Sequence, residues 1–332
     1  MRAVVVRRHG PPEAHALEEV PTPPLRRGAA LLRVHAIGVN FPDLLVIRNR
    51  YQYEPPLPFI PGKEVAGTVA AVGPGVTELA VGDRVLALVE HGGYAEEIVV
   101  PTGLCHRIPP GIDFTHAAAM GDAFQTAYFA LVERAQLGPG ESVLVTGASG
   151  GVGQAMVQLA KARGARVLAG IRSRDHEALA RANGADHVVD LGAPSLRDAL
   201  RAQVRAVTDG RGVDVALDQV GGDVFDASLR AMAWCGRLVV VGFAGGRIPE
   251  VKANYLLVKN IAVVGFQWSD YRDRFPARVQ QVQQELFALA AAATIGVRRI
   301  EEHSLEDFVT AMQRFEGRLA RGKVVLRTRA TP

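Results

Sequence analysis

Cysteine is nearly absent. Cys105 and Cys235 alone, in 332 residues, give neither a disulfide framework nor a thiolate metal cluster. A reducing cytoplasm is the default setting for such a chain. Long apolar runs are missing too. None approaches the ~20 residues of a membrane-spanning helix, and the opening Met1-Arg-Ala-Val-Val-Val is too short for a secretion signal and reads as a first strand. There is no long cationic run. The net charge is +4 and the pI about 9.3, with the basic residues scattered. That pattern gives no indication of nucleic-acid binding and suits a small anionic ligand. Repeats and low-complexity tracts are absent.

What is present is the composition of an ordinary globular protein, 48% hydrophobic and 22% charged, long enough for two domains. Its most informative stretch is Ser142-Val-Leu-Val-Thr-Gly-Ala-Ser-Gly-Gly-Val-Gly-Gln-Ala-Met-Val-Gln-Leu-Ala160. Residues 142–146 are a short apolar run of the kind buried in a parallel sheet. Gly147, Gly150, Gly151 and Gly153 follow, and Val152, Met156, Leu159 and Ala160 then recur at helical spacing. A helix starting here aims its free N–H groups and positive dipole end at the turn. Glycine lets the backbone bend there and lets a pyrophosphate approach. Strand, glycine turn and helix together predict a dinucleotide site built on Gly147, Ser149, Gly150, Gly151 and Val152.

Before this stretch the chain reads as short strands, over 3–7, 29–38, 64–72, 84–89 and 94–100, broken by Gly and Pro clusters. The spacing predicts a small β-barrel or half-barrel. Asp113 opens a capped helix, and a second helix runs through 126–136. From about 140 to 265 strands and helices alternate, which predicts a doubly wound parallel sheet with its ligand at the carboxyl ends of the strands. Beyond Gln267 come a helix over 276–294, a strand over 297–301, a helix over 305–317 and a strand over 322–327. This tail has no sheet of its own to complete, so it is expected to rejoin the first domain. The expected division is 1–123 with 267–332, and 124–266 inserted between them.

The motifs Gly38-Val-Asn40-Phe-Pro-Asp43, Pro61-Gly-Lys-Glu64-Val-Ala-Gly67, Gly73-Pro-Gly75, Gly82-Asp-Arg-Val85, Gly92-Gly-Tyr-Ala-Glu96, the glycine turn and Arg321-Gly-Lys-Val-Val run nearly end to end. Carrying them, the chain resembles the medium-chain dehydrogenase/reductases, specifically their zinc-independent quinone oxidoreductase (zeta-crystallin-like) branch. The resemblance implies a GroES-like β-rich catalytic domain plus an inserted Rossmann domain. It also implies an NADPH-dependent reductase of quinones or similar conjugated carbonyls.

Zinc chemistry needs three protein ligands around an open position. In zinc-dependent relatives a Cys lies near position 40 and a His precedes the Glu at 64; here Asn40 and Lys63 stand there. No metal site is therefore expected. A quinone or enone spreads incoming charge over its own π-system, so hydrogen bonds suffice in place of a Lewis acid.

An NAD site carries an acid at the end of the second strand, about 20 residues past the glycine turn. Here Arg172, Ser173 and Arg174 follow the strand instead. Guanidinium groups suit a 2′-phosphate, so NADPH is expected; the bland alternative is that Ser173 only caps a helix and the arginines are solvated. A tyrosine that often assists in the family is Leu191 here. By resemblance, Thr126 lies near the nicotinamide, the turn Val241-Gly242-Phe243 holds its carboxamide, and Arg318 and Lys323 reach the phosphates. On the substrate side the resemblance points to three catalytic candidates. Asn40 would face substrate or cofactor, Asp43 would orient it or cap the following helix, and Tyr51 would bond an acceptor oxygen or relay a proton. Tyr53 is a neighbouring candidate, and Leu45 replaces a family tyrosine. Glu64 is expected to be structural, tied to a cation such as Lys63.

The Tyr255-Leu-Leu-Val-Lys259 spacing imitates short-chain dehydrogenases, but those begin at their glycine turn, so the pair reads as part of an amphipathic helix. Two other functions stay open: an enone, 2-alkenal or enoyl-thioester reductase, and a non-catalytic NADPH-binding protein. The number of electrons per step is also open. The apolar run 261–265 is expected to form an edge strand that pairs in a homodimer.

Overall fold

The computed structural model describes residues 1–317, 319–320 and 322–329. The chain divides into two compact units, one of Met1–Asp122 with Ser269–Pro332 and one of Ala123–Trp268.

In the Ala123–Trp268 unit, apolar runs such as 143–145 and 167–169 are wholly buried, because helices cover both faces of a parallel sheet. Six strands lie in the order His187–Asp190, Arg166–Ile171, Ser142–Thr146, Val213–Asp218, Met232–Val240, Ala262–Gly265, all parallel. In chain order this is 3-2-1-4-5-6, the doubly wound arrangement whose switch point falls between the first and fourth strands. The glycine turn leaves the first strand and residues Gln219 and Val220 leave the fourth, side by side at that point.

Local departures from the sequence reading have local causes. The helix after the second strand begins as a 3-10 turn, Arg174–His176, because the Ser173 hydroxyl accepts from Asp175 N–H and tightens the entry. The helices expected around 113 and over 126–136 are one run, Phe114–Tyr128 continuing into a π-helical segment Phe129–Arg134. The fifth strand starts at Met232 and absorbs an irregularity near Cys235, whose φ is 60°.

In the other unit, Ala29–Gly38 is the hub. One of its edges carries Glu64–Val72 along its length. The other edge is shared end to end, Glu97–Pro101 pairing with residues 29–33 and Lys323–Arg327 with residues 36–38. The tail strands Ile300–Ser304 and Lys323–Arg327 thus join the sheet of the first residues. Arg84–Leu88 and Cys105–Arg107 complete it, and Arg2–Val5 pairs separately with Ala16–Glu19. The two strands absent from the sequence reading, Ala16–Glu19 and Cys105–Arg107, are four and three residues long, too short for alternation to stand out. The core is built from Leu32, Ile37, Leu44, Ile47 and Tyr94, with Phe308 and Met312 of the helix Phe308–Glu316 against them. Among the described residues no helix is long and apolar enough to cross a membrane.

Candidate functional site

The glycine turn is over-determined. Gly147 takes φ 62°, a left-handed conformation that favours glycine. Gly150 caps the helix Gly151–Ala162, whose first N–H groups have no intrahelical acceptor. A Cβ on Gly153 would run into the Gly147 carbonyl and lie 2.7 Å from the Gln219 amide nitrogen, so only glycine lets the helix come this close to the strand. Ser149 and Val152 are half-buried along the same turn, and the Ser149 carbonyl accepts from Gln154 Nε2 at 2.9 Å.

Two residues passed over in the sequence reading lock it. Gln219 Nε2 donates to the carbonyls of Thr146 (2.8 Å) and Gly147 (3.2 Å). Thr146 Oγ1 donates to Asp218 Oδ1 at 2.6 Å, and the same carboxylate accepts from the N–H groups of Val220 and Gly221. Burial pushes the Asp218 carboxyl up, while the Thr146 and backbone donors pull it down. The Asp218 carbonyl also accepts from the N–H groups of Val241 (2.7 Å) and Gly242 (3.3 Å), and Ala244 N–H donates to Gln219. One strand end therefore holds both the glycine turn and the 241–243 turn. The signal was legible: an Asp-Gln pair ending the apolar strand beside the glycine strand.

At the end of the second strand the three residues of the proposed phosphate contact separate. The exposed Arg172 guanidinium has no hydrogen bond or ion pair among the described residues. Ser173 Oγ accepts from Asp175 N–H and donates to its carboxylate at 3.0 Å. Arg174 pairs with Glu177 at 3.4 Å. Leu191 packs against Gly170 and brings no hydroxyl to this edge. Thr126 is half-buried on the Phe114–Tyr128 helix. Arg318 lies outside the described residues, as does Arg321 of the closing motif.

In the Met1–Asp122, Ser269–Pro332 unit the structure gathers a buried ionic cluster. Glu64 is 0% and Lys323 6% exposed. Lys323 Nζ donates to Glu64 Oε1 at 2.7 Å and to Asn40 Oδ1 at 2.5 Å, and Asn40 Nδ2 donates to Glu64 Oε1 at 2.7 Å. The opposite carboxylate oxygen accepts from Asp122 N–H at 2.6 Å. The close approach depends on Gly38, where a Cβ would collide with the Glu64 carboxylate.

This cluster corrects three expectations. Lys323 does not extend toward phosphates: strand pairing at residues 36–38 and the Val39 N–H to Val324 carbonyl bond draw it inward onto Glu64. The cation on Glu64 is Lys323, not Lys63, which pairs instead with Glu90. And the Asn40 amide is not a free donor, since both its ends are engaged inside the cluster.

Asp43 caps rather than orients the amide. Its Oδ2 accepts from Asn40 N–H (2.8 Å) at the start of the helix Phe41–Ile47 and from Tyr94 Oη (3.2 Å). Its other oxygen is buried without a partner among the described residues, and burial pushes the carboxyl up to about 7. Asp122 is also raised, by burial and then by the charge of Glu64. Glu90 carries a second cation, Arg272, at 2.8 Å. Lys63 Nζ lies 4.8 Å from the centre of the Tyr51 ring. Tyr51 is half-buried and bonded to Ser269, and burial pushes its hydroxyl up to about 12, so it remains a donor at neutral pH. Tyr53 is exposed and stacks on His91.

Tyr255 and Lys259 form no acid–base pair. Tyr255 Oη accepts from Arg230 Nη1 at 2.6 Å, and Lys259 Nζ donates to the carbonyls of Arg230 and Met232. Among the described residues no three His, Cys, Asp or Glu side chains are grouped to hold a metal ion.

With this geometry in view, the comparisons are specific. Residues 26–110 match the alcohol dehydrogenase GroES-like domain, and residues 151–284 match the zinc-binding dehydrogenase domain. The chain is 38% identical to quinone oxidoreductase-like protein 2 homolog of Nematostella vectensis, over 89% of this chain and 80% of that protein. Among solved structures it is similar to a mycobacterial protein complexed with NADPH. That match has a TM-score of 0.92 and 33% identity, and covers 98% of this chain and 100% of the other. It is also similar to the quinone oxidoreductase of Escherichia coli complexed with NADPH (TM-score 0.91, 28% identity, 98% and 100% coverage). The architecture is that of the medium-chain dehydrogenase/reductases, a GroES-like domain with an inserted Rossmann domain. Within that superfamily the chain belongs to the zinc-independent quinone oxidoreductase branch.

Proposed function

We propose that the chain is an NADPH-dependent oxidoreductase that reduces quinones or similar conjugated carbonyl compounds. The observation that carries the cofactor half is Arg172, an exposed guanidinium without a partner among the described residues, at the end of a second strand that has no carboxylate. NADPH, when bound, supplies a hydride. The chain's part is to hold and orient. The N–H groups at the start of the Gly151–Ala162 helix take the pyrophosphate, and Arg172 takes the 2′-phosphate in bidentate fashion. Ser173 and Arg174 are secondary there, since each already has a neighbour. The 241–243 turn offers its carbonyls and the Phe243 N–H to the carboxamide, the N–H groups of Val241 and Gly242 being engaged with Asp218. Thr126 is an additional contact by family likeness. On the acceptor side Tyr51, held protonated, donates a hydrogen bond to the carbonyl oxygen that gains charge. Asn40 and Asp43 act through position: Asn40 locks onto Glu64 and Lys323, and Asp43 fixes the turn into the helix. The reading also includes a homodimer through Ala262–Gly265, the last strand of its sheet, paired on one side only; gel filtration at monomer size counts against it.

Initial rates with NADPH and NADH in parallel test the function, using 1,4-benzoquinone, 9,10-phenanthrenequinone, an enone and an enoyl-CoA thioester. Quinone turnover with NADPH preferred supports it. Faster thioester or enone turnover replaces the quinone, and tight NADPH binding with no turnover of any acceptor overturns the enzymatic reading.

A further inference from the structure

The Ala123–Trp268 unit has a second concave site where charge of one sign collects. A cavity of about 170 Å³ lies beside the helix Leu196–Ala206 and the starts of Val213–Asp218 and Met232–Val240. Arg201, Arg205, Arg211, Arg230 and Lys259 line it, Trp234 gives it an aromatic wall, and no carboxyl group is among its lining residues. It sits at the amino ends of the fourth and fifth strands, and the dinucleotide turn at the carboxyl ends. Six residues of strand, about 20 Å, separate the two.

The cations are poorly neutralised. Arg201 has no hydrogen bond or ion pair among the described residues. Arg230 Nη1 donates to Tyr255 Oη, and its Nε is buried with no partner among the described residues. Arg205 Nε uses a backbone carbonyl, Gly210, at 2.9 Å. Among the described residues the Arg211 guanidinium has only Asp214 at 3.9 Å, and that carboxylate is already bonded to Ser142. Burial, then Arg201, Arg205 and Arg230, push the Lys259 ammonium down. These side chains line one space, with no carboxylate among them to neutralise the charge. The space is several times the ~30 Å³ share of a water and below the ~300 Å³ where drug-sized pockets begin.

We propose that this cavity binds a compact phosphate-bearing anion, independently of the dinucleotide site. Guanidinium pairs clamp phosphate oxygens bidentately, and Trp234 provides a face for an apolar or aromatic substituent on the ester.

The test is calorimetric titration of inorganic pyrophosphate into the protein saturated with NADPH, so that the glycine turn is already filled. One further site per chain is expected. Arg201→Gln with Arg205→Gln weakens it about tenfold or more, with NADPH affinity and circular dichroism unchanged. The corresponding double Lys variant keeps the charge but not the bidentate fork, and recovers only part of the affinity. Arg163→Gln with Arg181→Gln removes the same charge elsewhere on the unit and leaves binding intact. No heat with the holoprotein, equal weakening by the control pair, or pyrophosphate that only displaces NADPH overturns the proposal. So does binding of a short RNA without binding of pyrophosphate.

Discussion

Lys323 Nζ sits 2.7 Å from Glu64 Oε1, with both side chains almost completely removed from solvent. The two residues are 259 positions apart. Around them are further carboxyls at Asp43, Glu90 and Asp122 and further cations at Lys63 and Arg272, so the unit carries a buried ionic network rather than an isolated pair. Such a network is costly to assemble and costlier to break halfway.

Lys323→Met is therefore expected to destabilise the protein by about 3–5 kcal/mol, because Glu64 is left charged, buried and short of a donor. Lys323→Met combined with Glu64→Gln should recover part of that loss. Urea unfolding of the three proteins measures it. A single variant as stable as wild type would show that the pair is not coupled.

Asp43 gives the stability a pH dependence. Its carboxyl is raised in the folded chain to about 7 from the ordinary 3.8. The folded state thus binds the proton more tightly than the unfolded state, so this contribution is complete below about pH 4 and lost as pH rises through about 7. Asp122 is raised as well and acts with the same sign. Asp43→Asn should flatten the decline between about pH 4 and 7 without abolishing it, by an amount on the order of 1–4 kcal/mol. Unfolding midpoints across that range are the measurement, and an unchanged slope refutes the assignment.

Arg172→Ala should raise the Michaelis constant for NADPH about tenfold or more while changing that for NADH little, since only the 2′-phosphate distinguishes them. Arg174→Ala, whose guanidinium pairs with Glu177, should have the smaller effect. Equal losses with both cofactors would mean that Arg172 does not read the phosphate.

Gln219→Leu removes the donor to the carbonyls of Thr146 and Gly147. Losing the donor to the Thr146 carbonyl, while the Gly147 carbonyl keeps its bond from Gly150 N–H, should cost about 1–3 kcal/mol of stability and weaken NADPH through a loosened turn. Fluorescence titration with NADPH and thermal unfolding report the two effects separately. Intact affinity would show that the glycine backbone holds its shape unaided.

Much of this protein is local, and local features were legible. The strand, glycine turn and helix over 142–162 follow from an apolar run, four glycines and helical spacing in consecutive residues. The missing acid and the arginines at the end of the second strand are equally local. The alternation of strands and helices between 140 and 265 led to the doubly wound sheet for the same reason. Other features escaped because their partners are distant in sequence. Nothing near Lys323 in the chain says that residues 36–38 will pair with its strand and draw its ammonium onto Glu64. Similarly, Lys63 is next to Glu64 in sequence, but it lies just before the strand Glu64–Val72 and pairs with Glu90 instead.

The sequence by itself determined the two-part architecture, the dinucleotide turn and the absence of the usual zinc ligands at 40 and 63, because each depends on residue type at short spacing. Tertiary structure alone decided which cation neutralises Glu64 and which residues lock the turn. It also decided that Asn40 is a bound member of a buried network rather than a free donor. Those outcomes depend on strand register and on the energy of burying charge, and a buried charge takes whatever partner the fold brings within reach.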